Sequence, residues 1–242
     1  MKTVRRGFLP EYEKLFKGKE IEKLQEAAKD CLYLLNRGYK VKTATCFVQN
    51  HYMLPECQRL ALSRALATDK DIELRKQKEL QPSELAGKEV WIDGFNAIIP
   101  MESLLSDSPL FECMDGAIRD MANLKGSYHI IDKTEGAIRL ILSKLDELKI
   151  AKAHIHIDRP VSNSGRLKML ILEIAKEYNV EVEVELLDAV DKSLYDKECV
   201  ISGDCVVIDK SISWIPLYKW IVEDYKKSHD IWLVKIANWC KI

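Results

Sequence analysis

Aspartates stand at the ends of three apolar segments of this 242-residue sequence. VWID ends at Asp93, HIHID at Asp158 and VISGD at Asp204. A single aspartate in such a place often caps the helix that follows. Several at one edge of a sheet would repel one another unless some were protonated or a divalent cation lay among them. Because these oxygen ligands are hard and lack cysteine or paired histidine partners, Mg²⁺ or Mn²⁺ is the expected ion.

Neighbouring residues extend this candidate site. Asp188 and Asp191 follow a strictly alternating apolar segment, and Asn96 comes soon after Asp93, where it can orient a ligand or a water. Gly94 would allow a tight turn and the close approach of a phosphate. A cation held by such acids polarises a phosphate, lowers the pKa of a bound water and stabilises the leaving oxygen. The predicted chemistry is therefore phosphodiester hydrolysis.

The segment PVSNSG has two interpretations. Ser162, Asn163 and Ser164 precede a predicted helix whose first turns carry Arg166 and Lys168. Hydroxyls and cations at a helix N-terminus are suited to binding a phosphate. The same residues are equally typical of an ordinary helix cap after a proline turn. The sequence leaves both interpretations open.

The segment DGAIRD is a second place where two interpretations compete. Asp115 and Arg119 have the spacing of an ion pair on a helix surface, which would contribute only a few tenths of a kcal/mol. Alternatively, Asp120 is a further acid beside the predicted cluster and Arg119 binds a phosphate. The spacing by itself does not separate these alternatives.

Charge is distributed unevenly along the chain. Residues 1–84 contain 17 Lys and Arg against 12 Asp and Glu, whereas residues 85–242 contain 20 against 26. A basic region can gather a nucleic acid beside an acidic region that binds cations. The candidate contacts to nucleic acid are Arg37, Arg59 and Arg64, together with Lys40, Lys42 and His51, and with Tyr39, Phe47 and Tyr52 as stacking partners. The competing interpretation is a solvated helical face.

Apolar periodicity predicts helices in the first part of the chain. They fall at 21–35, 43–54 and 55–68. The polar segment 74–89 carries Pro82 and Gly87 and is predicted to be a linker. These features predict a helical, basic N-terminal domain over residues 1–85.

After the predicted linker, short apolar strands alternate with helices. Strands are predicted at 89–93, 153–158, 181–187 and 199–204, and helices at 134–149, 164–178 and 217–227. The strict alternation at 181–187 indicates a half-exposed strand near a sheet edge. Alternating strands and helices predict a second, α/β domain over residues 86–242, built on a mainly parallel sheet flanked by helices.

Composition narrows the class of protein. Hydrophobic residues make up 47% of the chain, enough for a core, but they form no run of about 18 residues that would cross a membrane. The basic N-terminus has no apolar segment behind it, so no secretory signal is expected. Seven cysteines are scattered without a CxxC pair. The expectation is a cytoplasmic protein whose cysteines are reduced and lie mostly in the core.

Other hydrolase chemistries fit the sequence less well. His154, His156 and Asp158 spell HxHxD, which resembles the zinc motif of metallo-β-lactamase-type hydrolases, but Arg159 stands where those enzymes need another histidine. Structural histidines are the expected alternative. A haloacid-dehalogenase-like phosphatase would need an aspartate at position 95, which is Phe. A glycine-rich phosphate loop is absent from the sequence.

Longer stretches resemble a known family. IDGFN, IDRPVSNSG, VDKSL and ISGDCVVID resemble the C-terminal half of the prokaryotic, mainly archaeal family called domain of unknown function 434. LLNRGYKVKTATCFVQNHYMLPECQRLALSR resembles its helical N-terminal half. The C-terminal half is in turn similar to PIN-like and NYN-type nucleases.

The resemblance to PIN-like nucleases implies roles for particular residues. Asp93 and Asn96 match the opening motif of those nucleases, Asp191 the acid before the last core strand, and Asp204 the closing acid. Asp158 has a less standard place in that pattern. PVSNSG is not a general feature of these enzymes, and ISGD lacks a serine directly before its aspartate. These two departures mark a changed substrate or a lost activity.

The sequence therefore predicts a nuclease dependent on Mg²⁺ or Mn²⁺, acting on RNA rather than DNA, with a PIN-like α/β domain. The predicted ligands, direct or through water, are Asp93, Asp158, Asp191 and Asp204, with Asp188 as an outer ligand and Asn96 orienting. Phosphates would contact Arg119, Arg166, Lys168 and the PVSNSG side chains. The alternative is a non-catalytic nucleic-acid-binding or adaptor protein with a degenerate domain. No membrane partner is expected, and homo-oligomer formation is left open.

Overall fold

The computed structural model describes residues 4–122 and 127–239. The chain begins with a helical region, as predicted. Its helices are α1 (Tyr12–Leu15), α2 (Gly18–Asn36), α3 (Val41–Tyr52), α4 (Glu56–Ala65) and α5 (Asp69–Gln77). The apolar stripe expected on α2 is buried, with Leu24, Ala28, Cys31 and Leu35 in the core.

Strands and helices alternate in the remainder of the chain. The strands are β1 (Glu89–Asp93), β2 (Leu110–Glu112), β3 (Ile118–Asp120), β4 (Lys152–Asp158), β5 (Glu181–Leu187), β6 (Val200–Ile201) and β7 (Leu233–Lys235). The helices are α6 (Gly94–Leu105), α7 (Thr134–Glu147), α8 (Ser164–Ala175), α9 (Val190–Ser193), α10 (Cys205–Lys210) and α11 (Leu217–Tyr225). Short 3-10 helices lie at Pro82–Glu84 and Ile236–Asn238.

The main sheet has the order β5-β4-β1-β6, and all its strand pairs are parallel. The prediction of a mainly parallel sheet flanked by helices is confirmed. Strand β1 lies in the interior of the sheet, which is why Val90 and Ile92 are buried. Strand β5 is at an edge, where Glu181, Glu183 and Glu185 are exposed and Val184 is buried. The edge position predicted from its strict alternation is therefore also confirmed.

A second, smaller sheet was not predicted. It has the order β3-β2-β7, and each strand has only three residues, too short for a periodic pattern to be recognised. Phe111 and Val234 from this sheet share a hydrophobic cluster with Phe16 and Leu24 of the helical region. The N-terminal helices thus pack on a sheet made by the second part of the chain.

The predicted linker is partly wrong. Its first residues belong to α5, which begins after Thr68, whose side chain accepts a hydrogen bond from the Asp71 amide (3.1 Å). Arg75 on this helix is buried, and its carbonyl accepts a hydrogen bond from the Trp214 indole (2.8 Å). The helix carries too few apolar residues for a helical period to be recognised. It is attached to the rest of the protein through the buried Arg75 instead.

DGAIRD is likewise not a helix. Its first three residues form the turn of the β2–β3 hairpin and its last three form β3, and the Asp115–Arg119 pair is buried. Arg119 donates two hydrogen bonds to Asp115 (2.9 and 2.6 Å), and Arg75 donates a third (2.7 Å). Arg75 also pairs with Asp209 of α10 (2.7 Å). This buried network, formed by Arg75, Asp115, Arg119 and Asp209, joins the helical region to the hairpin and to α10.

None of the six cysteines in the described residues is joined in a disulfide. Cys31, Cys113 and Cys199 are buried, whereas Cys46 is exposed, so the expectation of core cysteines fails at that position. Cys240 lies outside the described residues. No helix within 4–122 and 127–239 is long and apolar enough to cross a membrane.

Candidate active site

Strand order brings the predicted aspartates to one edge of the main sheet. Strands β4 and β6 both pair with β1, so the C-terminal ends of these three strands are neighbours. Asp93 is the last residue of β1, Asp158 the last of β4, and Asp204 follows β6 after a short turn. Sites in parallel sheets form at this edge. Asp93, Asp158, Asp191 and Asp204 are together called the acidic edge below.

Asp93 is only 1% exposed and caps α6. Its Oδ1 accepts a hydrogen bond from the Asn96 amide (3.3 Å), and its Oδ2 accepts bonds from Asn96 Nδ2 (2.5 Å) and Ser202 Oγ (3.2 Å). These contacts fix the orientation of the carboxylate. Asn96, which was predicted to orient a ligand or a water, contacts Asp93 in the structure.

Burial raises the pKa of Asp93 to about 7, although the hydrogen bonds from Asn96 act in the opposite direction. The charges of Asp191 and Asp158 raise it further. Burial also raises the pKa of Asp191, with additional contributions from Asp204 and Asp158. Burial is the main cause of the raised pKa of Asp158. The members of the acidic edge are thus close enough to repel one another.

The carboxylates of the acidic edge do not form a compact metal-binding group in this structure. Across residues 4–122 and 127–239, no group of three His, Cys, Asp or Glu side chains is arranged to hold a metal ion directly. Asp191 is exposed and Asp204 is partly exposed, so both carboxylates are accessible to solvent. Asp188 lies at the surface with its side chain 72% exposed, 3.5 Å from Arg159. The contact of Asp188 is thus with Arg159 at the surface.

Asp204 and Ser202 form one turn. Asp204 Oδ1 accepts hydrogen bonds from the amides of Val206 (2.7 Å) and Val207 (3.2 Å), which begins α10. The Asp204 amide donates to Ser202 Oγ (3.1 Å), and the same hydroxyl donates to Asp93. Ser202 thus links two acids, a role that sequence reasoning missed, although its place two residues before Asp204 was visible in ISGD.

Tyr218 is a second residue that sequence reasoning missed. Its hydroxyl is buried and has no hydrogen-bond partner among the described residues. Burial raises its pKa well above the usual value, and the charge of Asp93 raises it further. Its ring lies 3.8 Å from the place that a side chain at position 203 would occupy. Nothing in the sequence around Tyr218 indicates this position beside the acidic edge.

Gly94 lies where β1 leads into α6 and is closely packed. It is the first residue of α6, directly after β1, and has no positive φ, so the strand leads into the helix there without left-handed backbone. A Cβ at this position would lie 2.8 Å from the His156 carbonyl oxygen and from Ile157 Cγ1. The absence of a side chain allows α6 to approach β4 closely. This contact holds the Asp93 cap against the neighbouring strand.

An open cavity of about 440 Å³ adjoins the acidic edge. Asn96, Asp158 and Asp204 line it on the side of the main sheet, and Arg64 lines it from α4 of the helical region. Asp120, at the end of β3, also faces this space. Burial raises the pKa of Asp120, whereas the charge of Arg64 lowers it. The cavity is therefore built by both parts of the chain.

Arg119 borders the cavity but is occupied by structural contacts. Its Nε donates to the Gly203 carbonyl (2.7 Å), and Nη1 donates to the Arg64 carbonyl (3.0 Å) as well as to Asp115. These bonds hold the turn that carries Asp204 against α4. The contacts give Arg119 a positioning role, whereas the prediction was that it binds a phosphate.

The PVSNSG side chains are directed at backbone groups. Ser162 Oγ and Asn163 Nδ2 donate to the Tyr128 carbonyl (3.0 and 2.6 Å), and Ser164 Oγ donates to the Arg159 carbonyl (3.2 Å). No side chain caps α8, so the ordinary cap interpretation is wrong. Ser162 and Asn163 thus hold Tyr128 at the start of α8, whereas Ser164 bonds within its own loop. Arg166 is exposed and Lys168 is partly exposed on α8.

The predicted nucleic-acid contacts of the helical region divide into two groups. Arg64 lines the cavity, whereas Arg59 pairs with Glu56 on the surface of α4.

The other predicted contacts lie on α3 and in the turn between α2 and α3. Arg37 stacks on the exposed ring of Tyr33 (3.5 Å). Tyr39 and Phe47 are exposed, as stacking residues would be, but the Tyr52 hydroxyl donates to Asp30 (2.7 Å). Lys40, Lys42 and His51 are exposed.

The HxHxD histidines are satisfied by other partners. His154 stacks on Trp91 with ring centroids 4.1 Å apart and contacts Glu89 (2.8 Å). His156 Nδ1 shares a hydrogen bond with Ser193 Oγ (2.7 Å). These contacts confirm the expectation of structural histidines.

Comparisons with known proteins place both parts of the chain. A family described as "Domain of unknown function (DUF5616)" matches residues 82–220, and one described as "Protein of unknown function (DUF434)" matches residues 23–78. The chain is 39% identical over 185 residues to an uncharacterized protein of Methanocaldococcus jannaschii, covering 76% of this chain and 88% of that relative. No solved structure matches the chain.

The resemblance to the DUF434 family is confirmed for the helical region. The C-terminal half, which the sequence analysis assigned to the same family, matches a different family instead. The DUF5616 match covers more than half of the chain. The chain therefore belongs to the DUF5616 family and carries a DUF434 region ahead of that domain.

Proposed function

We propose that the chain is a Mg²⁺- or Mn²⁺-dependent nuclease that cleaves RNA with a PIN-like α/β domain. The observation that carries the proposal is the acidic edge itself. Asp93 is buried beside Asp158 and Asp191, at the C-terminal end of an interior parallel strand. Holding carboxylates together in this way costs stability, and such costs are concentrated at functional sites.

The donor set fits a hard divalent cation. All four members of the acidic edge offer carboxylate oxygens, which suit Mg²⁺ and Mn²⁺. The buried Tyr218 hydroxyl, unpartnered among the described residues, is a further oxygen beside Asp93. Asp191 would turn towards the ion, and Asp204, whose Oδ1 caps α10, would bind it through Oδ2 or a water, because the present arrangement does not enclose the ion. Mg²⁺ commonly keeps several waters in protein sites.

The residues of the site have separable tasks in this proposal. Asp93 would hold the ion, and Asn96 and Ser202 keep its two oxygens in a fixed direction. Arg64 would bind a phosphate across the cavity from the acidic edge. When bound, the ion polarises a phosphate and lowers the pKa of an attacking water.

The exposed surface of the helical region supports a second candidate, nucleic-acid binding without cleavage. Tyr39 and Phe47 are more than half exposed. They lie on the same stretch of chain as the exposed Arg37, Lys40 and Lys42. Aromatic and basic side chains together are typical of single-strand binding surfaces. Under this candidate, binding persists in chelator and in variants of the acidic edge.

Cleavage of a labelled single-stranded RNA tests the two candidates. We expect cleavage with Mn²⁺ to stop in EDTA, and Asp204→Asn to lower the rate at least about 100-fold, because the variant removes one charge from the ion's ligand set. Asparagine still caps a helix, so α10 should form in this variant. Asp188→Asn is the matched control and should leave the rate within about threefold, since Asp188 faces Arg159 at the surface. RNA binding without metal-dependent cleavage would favour the second candidate.

A further inference from the structure

The cavity beside the acidic edge has the size of a small-molecule site. Its volume of about 440 Å³ falls within the roughly 300–1,000 Å³ that is usual for ligand pockets. It opens between α4 of the helical region and the ends of β3 and β4. The carboxylates alone would not need a space of this size.

The walls of the cavity differ in character. Phe95, Ile99, Pro100 and Val161 give one apolar wall, formed by the first turns of α6 and the loop after β4. The remaining walls include Arg64, Asp120, Asp158 and Asp204. Arg119 also borders the cavity but is paired with Asp115. An apolar surface beside Arg64 and several acids suits a ligand with a flat apolar part and a phosphate, provided that a bound metal ion offsets the charge of the acids.

We propose that the cavity binds one unpaired nucleotide of a single-stranded nucleic acid. The base lies against the Phe95–Ile99–Pro100 wall, and its phosphate lies between Arg64 and the acidic edge. The proposal rests on the proposed nuclease function, because the phosphate requires the divalent cation. A base held in a duplex cannot enter such a space without being unpaired and unstacked, which costs free energy. The site would therefore select single strands.

Arg64 is held in place for this task. Its Nη1 donates to the Asp120 carbonyl (2.7 Å), while the Arg64 carbonyl accepts from Arg119 (3.0 Å). The carboxylate of Asp120 is itself fixed by the Ala122 amide (2.6 Å) and borders the cavity, where it can accept a hydrogen bond from a base N–H. The helical region thus contributes directly to substrate recognition.

Filling the cavity tests the proposal. Ser63 lies next to Arg64 on α4, lines the cavity and is only partly buried, so Ser63→Trp would extend a ring into the space without displacing core residues. The matched control is Leu74→Trp at an exposed position of α5 outside the cavity lining. The probe is a short phosphorothioate RNA labelled with fluorescein, used alone and annealed to its complement. Affinity is measured by fluorescence anisotropy on the full chain with Mg²⁺ present.

We expect the single strand to bind at least about tenfold more tightly than the duplex, consistent with the free energy of stacking one base. Ser63→Trp should weaken single-strand binding by about the same factor, and Leu74→Trp should leave it unchanged. Equal affinity for both forms, or full affinity in Ser63→Trp, would overturn the proposal. Mn²⁺ binding by Ser63→Trp is measured separately. If this variant binds Mn²⁺ as wild type does but binds the single strand weakly, the cavity is affected and the acidic edge is intact; if wild type does not bind Mn²⁺, the proposed function itself fails.

Discussion

Replacing Asp115 by Asn is expected to lower the free energy of unfolding by about 3–5 kcal/mol, the usual effect of removing one partner from a buried ion pair. The Asp115 side chain is 1% exposed and lies between Arg75 and Arg119. Asparagine keeps the shape but removes the charge. Arg75 would retain Asp209, whereas Arg119 would be left buried with carbonyl partners only.

The same network predicts a dependence on pH. Burial alone would raise the pKa of Asp115, but the charges of Arg119 and Arg75 outweigh it and hold the pKa below its usual range. A lowered pKa stabilises the fold above the pKa of the unfolded chain, and this contribution is lost as the pH falls through the folded value. The difference between wild type and Asp115→Asn should therefore shrink under acidic conditions.

Urea unfolding followed by circular dichroism measures this effect. The matched control is Glu177→Gln, which breaks a bidentate pair with Arg139 on the exposed surface. Exposed pairs contribute about 0–1 kcal/mol, so the control should lose little stability. Similar losses in the two variants would contradict the view that the buried network joins the helical region to the α/β region.

Replacing Asp93 by Asn is expected to have the opposite effect and to stabilise the fold in chelator. Burial raises the pKa of Asp93 to about 7 in the folded chain. Between about pH 4 and 7 the unfolded chain releases this proton while the folded chain retains it, so stability falls as the pH rises. Above pH 7 the folded carboxylate is ionised and the full cost is present. Asparagine carries no such cost.

The expected gain at pH 8 is about 2–4 kcal/mol, and it should vanish near pH 4. The Asn side chain can still accept the Asn96 amide hydrogen bond that caps α6, so the helix start is preserved. Thermal or urea unfolding in EDTA at several pH values measures the gain. Asp188→Asn, at the surface, should show no comparable change. A loss of stability in Asp93→Asn at pH 8 would mean that Asp93 serves the fold rather than a ligand.

Short-range sequence patterns account for much of this fold. Strand β1 is predicted by a short apolar run and helix α7 by apolar residues at helical spacing, and both lie within a few residues of the predicted bounds. Aspartates at strand ends were predicted to share one edge because parallel strands end on the same side of a sheet. Strand order is a long-range property, so the proximity of Asp158 to Asp93 was visible only in the structure.

The missed features depend on contacts distant in sequence. The polar segment around Arg75 predicts a surface residue. Arg75 is instead buried because it pairs with Asp115 and Asp209, which come 40 and 134 residues later in the chain. Tyr218 reaches the acidic edge from a helix far along the chain, and Ser202 connects two acids across two strands. The cavity depends on how α4 packs on the second sheet, which no local pattern specifies.

The central claim is that the acidic edge binds a divalent cation. Calorimetric titration of Mn²⁺ into the full chain tests it, with Asp93→Asn and Asp204→Asn as variants and Asp188→Asn as control. We expect binding in wild type and in Asp188→Asn, and at least about tenfold weaker binding in both acidic-edge variants, because each removes one carboxylate from a shared site. Absence of binding in wild type, even with RNA fragments present, would contradict the account and leave an RNA-binding protein as the better description.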